Sequence, residues 1–194
     1  MYNENMGRPY TLKRRAEQQA ETRQRIVEAA VELHGSLGPA RTSLSQVAEL
    51  AGVQRNTLYA HFPDERSLLM ACSAYSLECD PLPSAEPWQR VRGRERRLSA
   101  GLAEIYAWYG RNAELAGCVL RDAESHPLVR EIVGMRYAPV FSSYERVLGE
   151  GATTKQQAML RLALDYSCWR TLVRDGALKP RDAAESMARA VVSA

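Results

Sequence analysis

No two cysteines of this chain fall at a metal-binding or redox spacing. Cys72, Cys79, Cys118 and Cys168 are scattered through 194 residues, with no C-x-x-C pair and no close histidine partner. That absence argues against a zinc site and predicts reduced thiols that fill apolar space in a cytosolic protein. No apolar run approaches the roughly 20 residues a membrane helix needs, so no membrane partner is expected. The opening stretch "MYNENMGRPYTLKRRAEQQ" has no apolar core of a secretory leader, and a cytoplasmic location is expected. Catalytic signatures are missing too. There is no G-x-S-x-G, no H-E-x-x-H and no phosphate-cradling glycine loop. The chain is therefore not expected to be an enzyme, and no cofactor is expected. Strand signals are absent as well, because no run of alternating β-branched residues occurs.

Charge of one sign is also scarce, since the formal net charge is only +3. Its distribution matters more than its size. In residues 1–25, six cations (Arg8, Lys13, Arg14, Arg15, Arg23 and Arg25) face three acids, Glu4, Glu17 and Glu21. The basic excess thus sits in the N-terminal stretch, and the rest is close to balanced.

What is present has the helical period nearly throughout, which predicts an all-α fold. A mobile basic arm is expected over residues 1–18. A first helix is expected from about Ala16 to Ser36, with Ile26, Ala29, Ala30 and Leu33 forming one apolar stripe. A second begins at Thr42 or Ser43, either able to cap it, with Leu44, Val47, Ala48 and Ala51 facing inward. Gly52 marks a sharp turn. A short third helix, about Gln54 to His61, keeps only Leu58 and Phe62 for a core. Its other positions, Gln54, Arg55, Asn56, Thr57, Tyr59 and His61, are dense in hydrogen-bond donors. Pro63-Asp64 starts a fourth helix with Leu68, Leu69 and Cys72 inward. Beyond the proline-rich "DPLPSAEP", helices are expected over about 88–111, 113–124, 128–148, 155–175 and 180–192.

Two helices around a short glycine-containing turn form a helix-turn-helix, whose second helix enters the major groove of double-stranded DNA. The exposed residue types suit that task. Arg55 can donate twice to guanine and Asn56 can pair with adenine. The Thr57 methyl can meet a thymine methyl, while Tyr59 and His61 can reach phosphate. Thr42 and Ser43 offer hydroxyls at a helix start that favours phosphate. Arg14 and Arg15 can neutralise the backbone or enter the minor groove.

The stretch "SLSQVAELAGVQRNTLYAHFPDERSLL", preceded by "QRIVEAAVELHGSLGPART", resembles the DNA-binding domain of the TetR family of bacterial transcriptional regulators. The resemblance covers residues 20–70 and is carried by "A-G-V" followed by "T-L-Y-x-H-F". It implies a DNA-binding domain over 19–63 and a regulatory and dimerisation domain over 64–194. It further implies a homodimer on a palindromic operator, a repressor released by a ligand, and pairing of the last two helices across the dimer. Leu160, Leu164, Ser167, Cys168 and Thr171, with Ala183, Met187, Ala190 and Val191, are the expected faces. Gln54 stands where the family usually has a capping Ser. Glu65 stands where it commonly has Lys, and Arg66 is expected to take over that phosphate contact.

For a ligand pocket, the candidates are Tyr106, Tyr109, Asp122, Met135, Phe141, Tyr144 and Trp169, which would favour an apolar or aromatic effector. The stripe Leu102, Ile105, Tyr106 and Tyr109 is equally the spacing of ordinary core. The competing function is an architectural DNA-binding protein without an inducer.

Overall fold

In the computed structural model, residues 7–194 are described, with side chains from residue 12 onward. Among these residues every regular element is helical. Helix α1 runs Gly7–Ser36. It begins well before the expected Ala16, so residues 7–18, expected as a mobile arm, are helix, while 1–6 lie outside the described residues. Pro9 explains the difference: in a first turn its missing N–H removes no helical hydrogen bond. Lys13 and Glu17 then pair one turn apart at 4.0 Å.

Helices α2 (Leu44–Leu50), α3 (Arg55–His61) and α4 (Glu65–Cys79) follow. Ile26, Ala30, Val47, Leu58, Phe62 and Leu68 close a core among α1–α4. Asp64 caps α4 by accepting the Ser67 N–H at 2.7 Å, while Ser67 Oγ donates to the Asp64 carbonyl at 2.8 Å.

After α4 the chain leaves the helical pattern until α5, Arg94–Arg111. This helix was expected from Trp88. Instead Trp88 sits buried in a 3-10 turn, Pro87–Arg90, and Gly93 at φ +86° redirects the chain. Helices α6 (Ala113–Ser125) and α7 (Pro127–Leu148) come next. The expected helix over 155–175 is broken. Helix α8 ends at Leu164, and Asp165 adopts extended geometry while its side chain accepts the Ser167 N–H. It thereby starts α9 (Tyr166–Trp169), which runs into a π-helical turn, Arg170–Asp175. An aspartate that caps a new helix competes with the old one, a contest that periodicity does not reveal. Helix α10 is Pro180–Ser193.

The larger core joins α5, α7, α8, α9 and α10 around Trp88, Tyr106, Tyr109, Tyr144 and Trp169. Leu160, Leu164, Ala183 and Val191 lie inside it. These four positions, expected to face a second subunit, are therefore the protein's own core. Gly101 lets α5 approach closely, since a Cβ there would meet Leu148 at 2.8 Å. A small third core, Leu69 with Val129 and Ile132, bridges α4 and α7. No described helix is long and apolar enough to cross a membrane.

Candidate nucleic-acid interface and effector cavity

The α2–α3 unit is built by local chemistry. Ser43 accepts the Gln46 N–H and Gln46 Oε1 accepts the Ser43 N–H, a reciprocal cap. Thr42 does not cap; its hydroxyl donates to the Gly38 carbonyl at 2.8 Å. At the turn Gly52 sits at φ +64°, and the Val53 N–H returns to the Ala48 carbonyl at 2.9 Å. Gln54 opens α3 without a side-chain cap. Leu58 and Phe62 are buried, and the Arg23 guanidinium lies 4.8 Å above the Phe62 ring, a cation–π contact that spacing alone does not signal.

Outward from those anchors, Gln54, Arg55, Asn56 and Tyr59 are exposed, while Thr57 and His61 are half-buried. Arg55 and Tyr59 sit one turn apart, Nη2 to hydroxyl at 3.5 Å. Arg14 and Arg15 are exposed on the first half of α1. Arg66 stands apart from this group. It forms a bidentate pair with Glu131 of α7, which lifts the guanidinium's pKa and lowers the carboxyl's. In this structure Arg66 ties α4 to α7 rather than standing free for phosphate.

Two further joints hold the small unit to the larger one. On one side Asp122 of α6, buried, accepts the Ala40 N–H at 2.9 Å. Arg121 donates to Asp122 and to the Leu37 carbonyl. Gly38 lies against this pair at φ +98°, where a Cβ would meet both side chains at 2.3 Å. On the other side Arg136 of α7 reaches back to α4, donating to Ser73 Oγ and to the Met70 carbonyl, each at 3.1 Å. His126 caps α7 and approaches Glu65 at 3.7 Å.

Between these joints lies a partly open apolar cavity of about 60 Å³, walled by α1, α4, α6 and α7 together with Trp108. His34 lines it. Burial lowers its pKa to about 4, against the opposing pull of Asp122, so the imidazole is neutral at neutral pH. A second, more open apolar cavity of about 260 Å³ lies beside it and shares Trp108, Ala116, Val133 and Tyr137 as walls.

The expected pocket residues distribute unevenly. Tyr109 and Phe141 line the second cavity. Tyr106 and Tyr144 line neither. Their hydroxyls donate to the carbonyls of Ala163 (2.9 Å) and Pro83 (2.6 Å), which makes them core. Tyr109 is likewise pinned, to the Leu164 carbonyl at 2.7 Å, and burial raises the Tyr106, Tyr109 and Tyr144 phenols above their ordinary range. Trp169 is core against Tyr109 and Tyr166. Met135 is exposed, because its side of α7 faces outward. Asp122 serves the joint described above. Sequence reasoning missed Arg136 and His34, although a lone arginine in "VGMRYAPVF" was the available signal.

Comparison with known proteins places this geometry. Residues 26–72 match the profile described as "Bacterial regulatory proteins, tetR family". The transcriptional regulator TtgR of Pseudomonas putida is 43% identical over 60 residues, which span 31% of this chain and 29% of that relative. Among solved structures, the transcriptional regulator FadR of Bacillus subtilis, in complex with stearoyl-CoA, has a TM-score of 0.66 at 16% identity. It covers 88% of this chain and 97% of its own. AibR, in complex with isovaleryl coenzyme A and operator DNA, has a TM-score of 0.64 at 17% identity, covering 86% and 96%. At such identities these two establish a shared fold. The profile match is confined to residues 26–72, and there the chain is similar to the tetR family of bacterial regulatory proteins.

Proposed function

We propose that the protein is a ligand-responsive transcriptional regulator of the repressor kind, which works in the cytoplasm as a homodimer on a near-palindromic operator. The observation that carries this reading is α3 itself, with Leu58 and Phe62 buried beneath it while Gln54, Arg55, Asn56 and Tyr59 face outward. Exposed polar side chains are ordinarily met by water, but set after the Gly52 turn and above the buried Leu58 and Phe62 this group suits a major groove. Arg55 and Asn56 read base edges. Tyr59, His61, Thr57, Ser43 and Thr42 contact the backbone, with Gln54 at the helix start and Arg14 and Arg15 adding unspecific attraction.

The regulatory half of the proposal rests on α4. Its Leu68 and Cys72 pack with α1–α3, and its Leu69 packs with α7. One rigid helix thus belongs to both units. A ligand that favours one placement of α4 over another changes the separation of two α3 helices in a dimer, and with it the affinity for half-sites about 34–36 Å apart. That AibR is described with both an acyl ligand and operator DNA supports a fold able to carry both sites. The effector is a small apolar or aromatic molecule, in keeping with the two apolar cavities.

The test is selection of duplexes from a random pool by the full chain, followed by band-shift titration. Enrichment of a two-fold symmetric sequence is expected. A pool that stays random after repeated rounds refutes the reading.

A further inference from the structure

The smaller cavity has a one-sided chemistry. Its wall contains no aspartate or glutamate, and its one permanent cation is Arg136. Arg136 donates to two neutral acceptors, Ser73 Oγ and the Met70 carbonyl. Among the described residues it makes no ion pair. The only other basic group in the wall, His34, is neutral through burial. A guanidinium stays charged under all ordinary conditions. Arg136 is half-buried at the edge of this apolar recess, and a planar carboxylate matches its parallel N–H groups best.

We propose that the cavity binds a small amphipathic acid. The carboxylate sits on Arg136, and the aromatic or aliphatic body lies against Leu69, Ile132 and Tyr137. This inference rests on the regulator reading above and names the effector's chemical class. This space, about 60 Å³, falls short of the roughly 150 Å³ that admits benzene in a dry engineered cavity. The apolar body therefore extends into the neighbouring 260 Å³ space. Tyr137 stands between the two, edge-on to Trp108 at 6.2 Å and to Phe141 at 6.4 Å. Its rotation joins them.

The same contact supplies the regulatory step. Nη2 of Arg136 now donates to the Met70 carbonyl of α4. A carboxylate that draws the guanidinium to itself loosens this tie. Helix α4 then shifts against α7 and carries its Leu68 and Cys72 side, and with it the α1–α3 core.

Calorimetric titration of the full chain at neutral pH with benzoate, phenylacetate, hexanoate and octanoate tests this. Each acid is measured beside its alcohol and its coenzyme A thioester. At least one acid is expected to bind about tenfold or more tightly than its alcohol, and that preference is expected to vanish in Arg136→Met. Arg136→Lys, which keeps the charge but loses the fork, is expected to bind the acid more weakly while still preferring it to the alcohol; this variant decides the matter if the methionine variant does not fold. Equal binding of acid and alcohol, binding of the thioester alone, uptake of none of the four acids, or an acid preference that survives in Arg136→Met overturns the proposal. A chain that binds a selected duplex but no acid refutes this inference and leaves the regulator reading intact. Arg136-dependent acid binding without duplex binding supports the site and refutes the regulator reading.

Discussion

The buried carboxylate of Asp122 accepts the backbone N–H of Ala40 at 2.9 Å, a bond between residues 82 positions apart. It fastens α6 to the loop that leads from α1 into α2. Arg121 closes the same joint by donating to the Leu37 carbonyl, and Gly38 makes room for both side chains. The α1–α3 unit is therefore held to the larger unit by polar bonds with defined partners as well as by apolar contact.

Asp122→Ala leaves the Ala40 N–H and Arg121 without their partner. Because the aspartate is about 5% exposed, the expected loss is about 1.5–3 kcal/mol in denaturant titration. Gly38→Ala is expected to do at least comparable damage through its positive φ and the close side chains. A variant as stable as the parent in either case would show that the joint carries no strength.

Acid should weaken the protein through His34. Its folded pKa is about 4 against an ordinary 6.5, since burial disfavours the imidazolium. Between those values the unfolded chain binds more protons than the folded one. Stability is thus complete above about pH 6.5 and falls as pH drops toward 4, by up to about 3 kcal/mol from this group. His34→Gln is expected to flatten the slope over that window in melting experiments, and an unchanged slope would contradict the assignment.

Phe62→Ala is expected to cost about 3–5 kcal/mol, because Phe62 is 1% exposed and also supports Arg23. Binding to every duplex should fall together. Tyr59→Phe, by contrast, is expected to leave the melting temperature unchanged, since Tyr59 is 40% exposed. Thermal melts of the two variants side by side check the distinction.

Arg66→Gln separates two roles for one side chain. Paired with Glu131, Arg66 should contribute nothing to phosphate neutralisation. The dependence of DNA affinity on salt is then expected to match the parent, because that slope counts released counterions. A slope lower by about one in the variant would return Arg66 to the DNA-contacting set.

Helix period, capping residues and the Gly52 turn were legible in the sequence because each follows from neighbours within a few positions. Most inward residues of α1–α4, though not Val27 or His34, were found for the same reason. Longer-range facts escaped. Asp165 breaks the helix expected over 155–175 by capping its successor, and Leu160 and Ala183 turn out to be core rather than interface. Periodicity marks an apolar face without saying what covers it. The pocket candidates erred likewise, since Tyr106 and Tyr144 spend their hydroxyls on core carbonyls. Arg136 stood out in the sequence only as a lone arginine, and its partners Met70 and Ser73 became visible with the fold.

The proposed function requires that α3 distinguish bases. The most direct measurement compares affinities for a selected symmetric duplex and a scrambled one, at one salt concentration, for the parent chain, Arg55→Ala, Asn56→Ala and the double variant Arg14→Ala/Arg15→Ala. The parent is expected to prefer the selected duplex by about a thousandfold or more. Arg55→Ala and Asn56→Ala should each lose about 1–3 kcal/mol of that preference at one base step. The double variant should weaken both duplexes alike. Equal affinity of the parent for both duplexes, or the same uniform loss in every variant, would contradict it.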